Sequence, residues 1–238
     1  MNRQSSDKLI LALDGLSKEE AMAFVKKIPN LRWVKVGLEL FLNGGIDVLK
    51  ELKDYDKKIF LDLKFHDIPV TMRRACTQAA RLGSELISIH SCAGIDGLKA
   101  AYLGSEEGAA LEGLPPPTLL AITVLTSWSQ EKMKEELALD GSLEKRVERL
   151  AKLALESGVG GCVCSPLEVL SLRRFLPKDF QLVTPGIRNN ISDLQDQSRV
   201  MSASEAIKLG ASRIVIGRPI TQADDPVKVF TKICESLE

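Results

Sequence analysis

The sequence has little of what marks several large classes of protein. Lysine plus arginine and aspartate plus glutamate both number 32, so the formal net charge is zero. The basic surface typical of a nucleic-acid-binding protein is therefore not expected. No apolar run approaches the roughly 18–20 residues that a membrane-spanning helix needs. We expect a protein whose partners include neither nucleic acid nor a membrane, and whose anionic ligands, if any, are held by local cations.

Cysteine is also used sparingly. The five cysteines are an odd number and none belongs to a CxxC pair, so neither a metal nor a redox motif is predicted. Cys162 and Cys164 lie two residues apart in an apolar stretch, where we expect both to act as small buried hydrophobic residues. The polar N-terminal tail, residues 1–7, has no apolar core and is not expected to be a signal peptide. These features predict a reduced, cytoplasmic protein.

Short β-rich runs alternate with amphipathic helical stretches along the whole chain. The strand candidates are rich in valine, isoleucine and leucine and are bounded by glycine, proline, aspartate or serine. They cover residues 8–14, 31–37, 58–64, 85–91, 118–125, 159–165, 181–184 and 213–217. Helical stretches include 18–27, 70–82, 143–156 and 205–209. Ser17, followed three residues later by Glu20, has the form of a helix capping box.

Eight strand–helix units with no change of composition predict a single (β/α)8 barrel, the TIM-barrel fold, over residues 1–238. An open doubly wound sheet is the alternative, and it usually carries a glycine-rich turn after its first strand. Here the first strand runs into Asp14-Gly15-Leu16, without a GxGxxG pattern. In a (β/α)8 barrel the active site lies at the C-terminal ends of the strands, so the residues at those ends are the candidates for function.

Charged residues collect at the predicted ends of the first three strands: Asp14, Lys35, Asp62, Lys64 and Asp67. Asp62 and Lys64 are two positions apart, so their side chains should point to the same side of the strand. A buried charge costs several kcal/mol unless it is paired. An ion pair that only fixes the strand register would explain Asp62 and Lys64 alone. The additional charges on neighbouring strands favour a catalytic centre.

A second set of candidates follows strands seven and eight, where this fold commonly binds phosphate. The segments are Gly186-Ile187-Arg188 and Gly217-Arg218. Glycines let backbone N–H groups approach an anion, and arginines supply charge-assisted hydrogen bonds. Turn glycines beside surface arginines would explain either segment alone, but the pair at both expected loops favours an anion site. The polar segment 189–197 is expected to form a long loop on the same face.

The segment 62–69, DLKFHDIP, matches the DxKxxDIP signature in full and resembles the orotidine 5′-monophosphate decarboxylase family. The resemblance extends over essentially the whole chain. DxKxxD alone is shared with sugar-phosphate decarboxylases of related barrel design, whereas the full set in this order is specific. The further segments are 11–14 (LALD), 34–37 (VKVG), 123–127 (TVLTS), 183–188 (VTPGIR) and 216–219 (IGRP).

The resemblance implies an enzyme that converts orotidine 5′-monophosphate to UMP and carbon dioxide, the last step of UMP biosynthesis, with no cofactor and no metal. Asp14 and Lys35 would hold the ribose hydroxyls, and Asp62 would lie against the departing carboxylate. Lys64 would donate the proton to C6 of the pyrimidine.

The resemblance also implies a homodimer and further residues that contact the substrate. The residues that would reach the active site of the neighbouring subunit are Asp67, Ile68 and Thr71. Those that would contact the pyrimidine ring are Thr126 and Ser127. Those that would hold the phosphate are Arg188, Gln197, Gly217 and Arg218.

Elementary chemistry supports a lysine in this role. Loss of carbon dioxide leaves electron density at C6 that the ring delocalises poorly, so the protein must stabilise charge and protonate carbon. An ammonium held charged by flanking carboxylates can do both. His66 and His90 are expected to be structural, because Lys64 already supplies the proton.

Two alternatives stay open. One is a metal-dependent sugar-phosphate decarboxylase or aldolase, a related group that has an acidic magnesium ligand where Lys35 stands, and a cation there repels a metal. The other is a non-catalytic barrel that binds phosphorylated metabolites. The complete set of Asp62, Lys64 and Asp67 argues against it.

Overall fold

The computed structural model describes residues 3–187 and 201–238. Eight parallel strands form one closed barrel, in which each strand pairs with its neighbours in sequence and the first pairs with the last. The predicted (β/α)8 barrel is confirmed. The strands are β1 (Leu9–Ala12), β2 (Trp33–Gly37), β3 (Lys58–Phe65), β4 (Leu86–His90), β5 (Thr118–Ile122), β6 (Gly161–Val163), β7 (Gln181–Thr184) and β8 (Arg213–Ile216).

Helices surround the barrel. Within the described residues they are α1 (Arg3–Ser6), α2 (Lys18–Lys27), α3 (Leu38–Asp54), α4 (Pro69–Arg81), α5 (Gly94–Leu111), α6 (Gln130–Leu137), α7 (Leu143–Glu156), α8 (Val169–Arg173), α9 (Ala203–Lys208), α10 (Arg218–Thr221) and α11 (Pro226–Glu235). None of these helices combines the length and the apolar character needed to cross a membrane.

The predicted elements agree closely with the observed ones. The strand predicted at 181–184 coincides with β7, and the helices predicted at 18–27 and 143–156 coincide with α2 and α7. The capping box is also present, since the Glu20 N–H donates to Ser17 Oγ at 3.2 Å and the Ser17 N–H donates to Glu20 Oε2 at 2.8 Å. The two donors that this box satisfies would otherwise be unpaired at the start of α2.

The core has two parts, because successive side chains of a strand point to opposite faces. On β1, Leu9 and Leu11 face the helices, and Ile10 and Ala12 face the barrel interior. The interior cluster takes one or two residues from most of the strands: Ile10, Ala12, Trp33, Phe60, Leu86, Leu120, Val183 and Val215. Cys162 and Cys164 are fully buried in the outer layer, as predicted.

The N-terminal end of the barrel carries what we call the barrel floor, which comprises Trp33, Lys58, Glu85 and Arg213 and borders a cavity of about 320 Å³. The Trp33 ring lies under two cations, with Lys58 Nζ 5.2 Å and the Arg213 guanidinium carbon 4.5 Å from its centroid. Glu85 Oε2 accepts the Ile59 N–H at 2.7 Å, and its Oε1 accepts from Lys53 Nζ at 2.7 Å. These contacts join the starts of β2, β3 and β8 to the residue before β4.

Candidate active site

At the C-terminal end of the barrel, inward-facing positions of β2 and β3 are occupied by charged residues. Lys35 lies two positions after Trp33 on β2, and Asp62 lies two positions after Phe60 on β3. Both residues are largely buried, with 7% and 6% of their surface exposed. The strand period therefore carries these charges to the inside of the barrel, directly above its apolar interior.

Four of these residues form what we call the lysine–aspartate chain: Asp14, Lys35, Asp62 and Lys64. Both carboxylate oxygens of Asp14 lie 2.7 Å from Lys35 Nζ. Lys35 Nζ is 3.3 Å from Asp62 Oδ2, and Lys64 Nζ donates to the same oxygen at 2.9 Å. Because positive and negative groups alternate, each buried charge has an opposite charge beside it. The structure thus brings four of the five predicted charged residues together.

The lysine–aspartate chain controls the ionisation of Asp62. Burial alone would raise the pKa of this carboxyl group. The positive charges of Lys35 and Lys64 lower this pKa, and so do the hydrogen bonds from Lys64 and Ser88. Together they bring the pKa of Asp62 below its ordinary value. Asp62 is therefore a carboxylate at neutral pH, and Lys64 has a fixed counter-ion.

The backbone at Lys64 differs from the regular strand assumed above. Lys64 has φ of 52°, in the left-handed region that few non-glycine residues adopt. The pairing of β3 with β4 shifts register here, from Leu61 opposite Ile87 to Phe65 opposite Ile89. Simple alternation is thus the wrong explanation for the shared side of Asp62 and Lys64. A β-bulge turns the Lys64 side chain back toward Asp62, and bulges often redirect a side chain beside an active site.

Sequence reasoning assigned no role to two residues of this centre. Ser88 on β4 is completely buried; its hydroxyl donates to Asp62 Oδ1 at 2.8 Å and accepts from the Lys64 N–H at 2.9 Å. Gly37 ends β2, and a Cβ atom there would lie 2.4 Å from Asp14 Oδ1. A serine in an apolar strand or a glycine at a strand end is common, so only the assembled barrel reveals what these two contact.

Two adjoining cavities open above the lysine–aspartate chain. The inner chamber, about 220 Å³, is lined by Asp62, Lys64 and Thr126 together with apolar residues. The outer cleft, about 450 Å³, is lined by the segments after β7 and β8. Both are bordered by the same four residues: Asp14, Lys35, Pro185 and Val215. The two spaces are therefore neighbouring parts of one groove, with the Asp14–Lys35 pair at their junction.

The outer cleft has the features of an anion site. Gly186, Gly217 and Arg218 all line it. Gly186 has φ of 80°, which favours glycine, and a Cβ atom on Gly217 would lie 3.3 Å from the Cβ of Ala12. Glycine at these positions leaves the backbone exposed to a ligand. The predicted phosphate contacts Arg188 and Gln197 lie outside the described residues.

Four predicted contacts do not line either cavity of this chain as it is described. Asp67, Ile68, Thr71 and Ser127 are all exposed. Asp67 Oδ1 accepts the N–H of Ile68, the residue just before α4, at 2.7 Å. Ile68 exposes 63% of its surface. Their predicted roles, across a subunit interface or against the ring, stay predictions.

The two histidines lie beside the lysine–aspartate chain and are not members of it. The rings of His66 and His90 are 5.4 Å apart and tilted by 36°. Burial lowers the pKa of His90, and electrostatic interactions with His66 and Lys64 lower it further. His90 is therefore neutral near pH 7, and a neutral ring beside Lys64 does not repel it.

The carboxylates of the centre are arranged around ammonium groups. Lys35 Nζ lies between the carboxylates of Asp14 and Asp62. Over residues 3–187 and 201–238, no group of three or more histidine, cysteine, aspartate or glutamate side chains is placed to hold a metal ion.

The fold and this site define a (β/α)8-barrel protein with an alternating lysine–aspartate centre beside a glycine-lined cleft. A sequence profile of the family described as "Orotidine 5'-phosphate decarboxylase / HUMPS family" matches residues 7–233. The chain belongs to this family.

Relatives and solved structures agree with that assignment. A protein of Parasynechococcus marenigrum named orotidine 5′-phosphate decarboxylase is 54% identical over 232 residues, which cover 98% of this chain and 94% of the relative. A protein of the same name from Prochlorococcus marinus is 54% identical over 233 residues, covering 98% and 97%. The crystal structure of orotidine 5′-phosphate decarboxylase from Lactobacillus acidophilus superposes with a TM-score of 0.87 at 38% identity, covering 98% of this chain and 99% of that one.

Proposed function

We propose that this chain decarboxylates orotidine 5′-phosphate (OMP) to UMP and carbon dioxide without a cofactor, as the last step of UMP biosynthesis. The observation that carries the proposal is the groove itself. Its inner chamber, its junction and its outer cleft follow one another in the order in which OMP carries its base, ribose and phosphate.

Each part of the groove suits one part of this ligand. The phosphate would lie in the outer cleft, against the backbone of Gly186 and Gly217 and the guanidinium of Arg218. The ribose hydroxyls would meet Asp14 and Lys35 at the junction, where a carboxylate accepts and an ammonium donates hydrogen bonds. The pyrimidine would then enter the inner chamber, with Thr126 on its wall.

In this placement the C6 carboxylate of the substrate approaches Asp62 and Lys64. When the C6–carboxylate bond breaks, its electron pair stays on C6 and carbon dioxide leaves. The ammonium of Lys64 stabilises that developing negative charge and then transfers a proton to C6, which gives UMP. Asp62 holds the Lys64 ammonium by a hydrogen bond before the reaction and opposes the substrate carboxylate more than the product carbanion.

The phosphate contributes to the rate through binding energy remote from the reacting carbon. Enzymes lower barriers by about 8–23 kcal/mol, and one ammonium group does not supply a reduction near the upper part of that range. Interactions with the phosphate can hold the ring against Lys64 and exclude water from the chamber. The cleft and the chamber share a wall, so a ligand bound in one is positioned in the other.

The experiment that tests the proposal is a decarboxylation assay on purified protein treated with EDTA. The loss of OMP and the appearance of UMP are followed, and the same protein is offered a sugar-phosphate acid with and without magnesium. We expect OMP turnover that EDTA does not change. Turnover of the sugar-phosphate acid only, or OMP turnover lost with EDTA, would exclude the cofactor-free reaction. UMP binding with no turnover would identify a non-catalytic barrel.

We also propose a cytoplasmic homodimer in which Asp67, Ile68 and Thr71 complete the partner's site. The exposure of Ile68 and the absence of these side chains from the described cavities of their own chain support this arrangement. Mixing Lys64→Ala with Asp67→Ala protein tests it, because one site in each mixed dimer then has both residues intact. Recovery toward the level expected for one site per mixed dimer is the predicted result. No recovery after verified subunit exchange would place Asp67 outside the partner's site.

A further inference from the structure

We propose that Ser88 is a positioning residue for the reaction, which fixes the Asp62 carboxylate and the Lys64 backbone through one hydroxyl group. This inference rests on the proposed decarboxylation and concerns a residue that does not touch the substrate. It is carried by the geometry of the β-bulge in β3.

Ser88 stands at the centre of that bulge. Between the pairs Leu61–Ile87 and Phe65–Ile89, β3 contains three residues, 62 to 64, while β4 contains only Ser88. Ile87 and Ile89 belong to the layer under the helices, so Ser88 between them faces the barrel interior. The single residue opposite the bulge therefore points at the lysine–aspartate chain.

The Ser88 hydroxyl uses both its acceptor and its donor capacity here. It accepts the N–H of Lys64 at 2.9 Å and donates its own proton to Asp62 Oδ1 at 2.8 Å. The first bond holds the Lys64 backbone, which has the strained φ of 52°. The second leaves Asp62 Oδ2 to meet the two ammonium groups, at 2.9 Å from Lys64 Nζ and 3.3 Å from Lys35 Nζ.

The two bonds act on different parts of the same catalytic pair. Without the hydroxyl, the Asp62 carboxylate can rotate about its χ2 angle and the bulge loses a hydrogen bond that supports it. Ser88 is fully buried, so water is poorly placed to substitute for the lost group. Misplacement of Lys64 by a fraction of an ångström lowers the rate of proton transfer and leaves the phosphate and ribose contacts intact.

The test compares a pair of variants of equal volume. Ser88→Thr keeps a hydroxyl and Ser88→Val does not, and both add the same methyl branch that a strand tolerates. We expect kcat of the valine variant to fall about 10- to 100-fold below that of the threonine variant. The KM for OMP and the affinity for UMP should differ between the two by less than threefold. Ser88→Ala should resemble the valine variant in kcat.

The matched control is Ser84→Ala. Ser84 is also buried and lies just before β4, but its hydroxyl has no hydrogen-bond partner among the described residues, so its removal should leave kcat unchanged. Equal kcat for the threonine and valine variants would overturn the role of Ser88, as would losses that appear equally in UMP affinity. Wild-type protein inactive on OMP in the same assay would instead refute the proposed function.

Discussion

The two ends of the barrel both carry charged residues at inward-facing positions, and they use them differently. At the barrel floor, Lys58 and Arg213 lie over the face of Trp33, and both oxygens of Glu85 accept hydrogen bonds from the protein itself. At the C-terminal end, Lys64 reaches Asp62 but also lines an open chamber. The floor charges also border a cavity, of about 320 Å³. They differ from the C-terminal charges in their partners, because the floor cations lie over an aromatic ring, whereas Lys35 and Lys64 share one carboxylate beside two adjoining cavities.

The two ends can be compared directly because the same strands supply the charged residues of both. Lys58 begins β3 and Lys64 lies near its end, and Arg213 begins β8 while Arg218 follows it. In this fold, chemistry is found at the C-terminal end and the N-terminal end serves stability. Substituting the residue at the C-terminal end should therefore affect catalysis, and substituting its counterpart at the floor should affect stability.

The largest effect should come from Lys64→Ala compared with Lys58→Ala. Lys64 is the proposed proton donor, so its removal should lower kcat on OMP at least about 10⁴-fold, or about 5 kcal/mol in the barrier. Lys58→Ala, on the same strand, should leave kcat within twofold. Steady-state kinetics and UMP binding by calorimetry check both variants. Turnover of Lys64→Ala within about tenfold of wild type would remove the proposed role of Lys64.

Much of this comparison was predictable from the sequence. Strand periodicity places Lys35 and Asp62 inside the barrel, and the order of strand ends brings Asp14 beside them. Those patterns are local, because each depends on the spacing within one strand and on one rule of the fold. The same applies to the capping box of Ser17 and Glu20, which is contained in four consecutive residues.

What could not be predicted depends on register between strands. The bulge at Lys64 arises because three residues of β3 face Ser88, and no spacing within β3 reveals that offset. Likewise, a Cβ atom at Gly37 would displace the Asp14 carboxylate, whose Oδ1 lies 2.4 Å from that position, and this contact joins two different strand ends. A predicted pairing of side chains was thus correct while the backbone geometry behind it was wrong.

The second prediction contrasts Arg218→Ala with Arg213→Ala. If Arg218 holds the phosphate, its loss should lower kcat/KM on OMP by about 2–5 kcal/mol, partly in kcat. Orotidine, which lacks the phosphate, should be processed by this variant and by wild type at nearly equal rates. Arg213→Ala should change neither substrate's kinetics. An equal loss on OMP and orotidine for Arg218→Ala would show that this residue supports the fold or the ring site.

The third prediction concerns the pH dependence of stability at Asp62. The folded-state pKa of Asp62 is lowered, so its carboxylate stabilises the fold above the unfolded-state pKa of about 3.9. That contribution is lost as the pH falls through the folded-state value. Asp62→Asn should therefore reduce the free energy of unfolding by about 1–3 kcal/mol at pH 7, the cost of leaving buried polar groups without their hydrogen bonds, and the difference from wild type should shrink below pH 4. Denaturant titrations at pH 7 and pH 3 measure it, and a difference that grows toward acid pH would contradict the sign of this pKa shift.

The smallest effect is expected at the floor, from Lys58→Met. Methionine keeps an apolar stem against Trp33 and removes the ammonium that lies 5.2 Å from the ring centroid. A cation over an aromatic face contributes about 0.5–1 kcal/mol when it is partly exposed. In a chain of this size each kcal/mol of lost stability lowers the Tm by about 2–4 °C. The same substitution in a Trp33→Leu background should cost nothing further, because the ring is already gone, and this double-mutant cycle isolates the contact.

kcat/KM on OMP should stay within twofold of wild type throughout. A loss of turnover larger than the loss of stability explains would show that the floor affects the chemistry, and the contrast between the two ends of the barrel would fail.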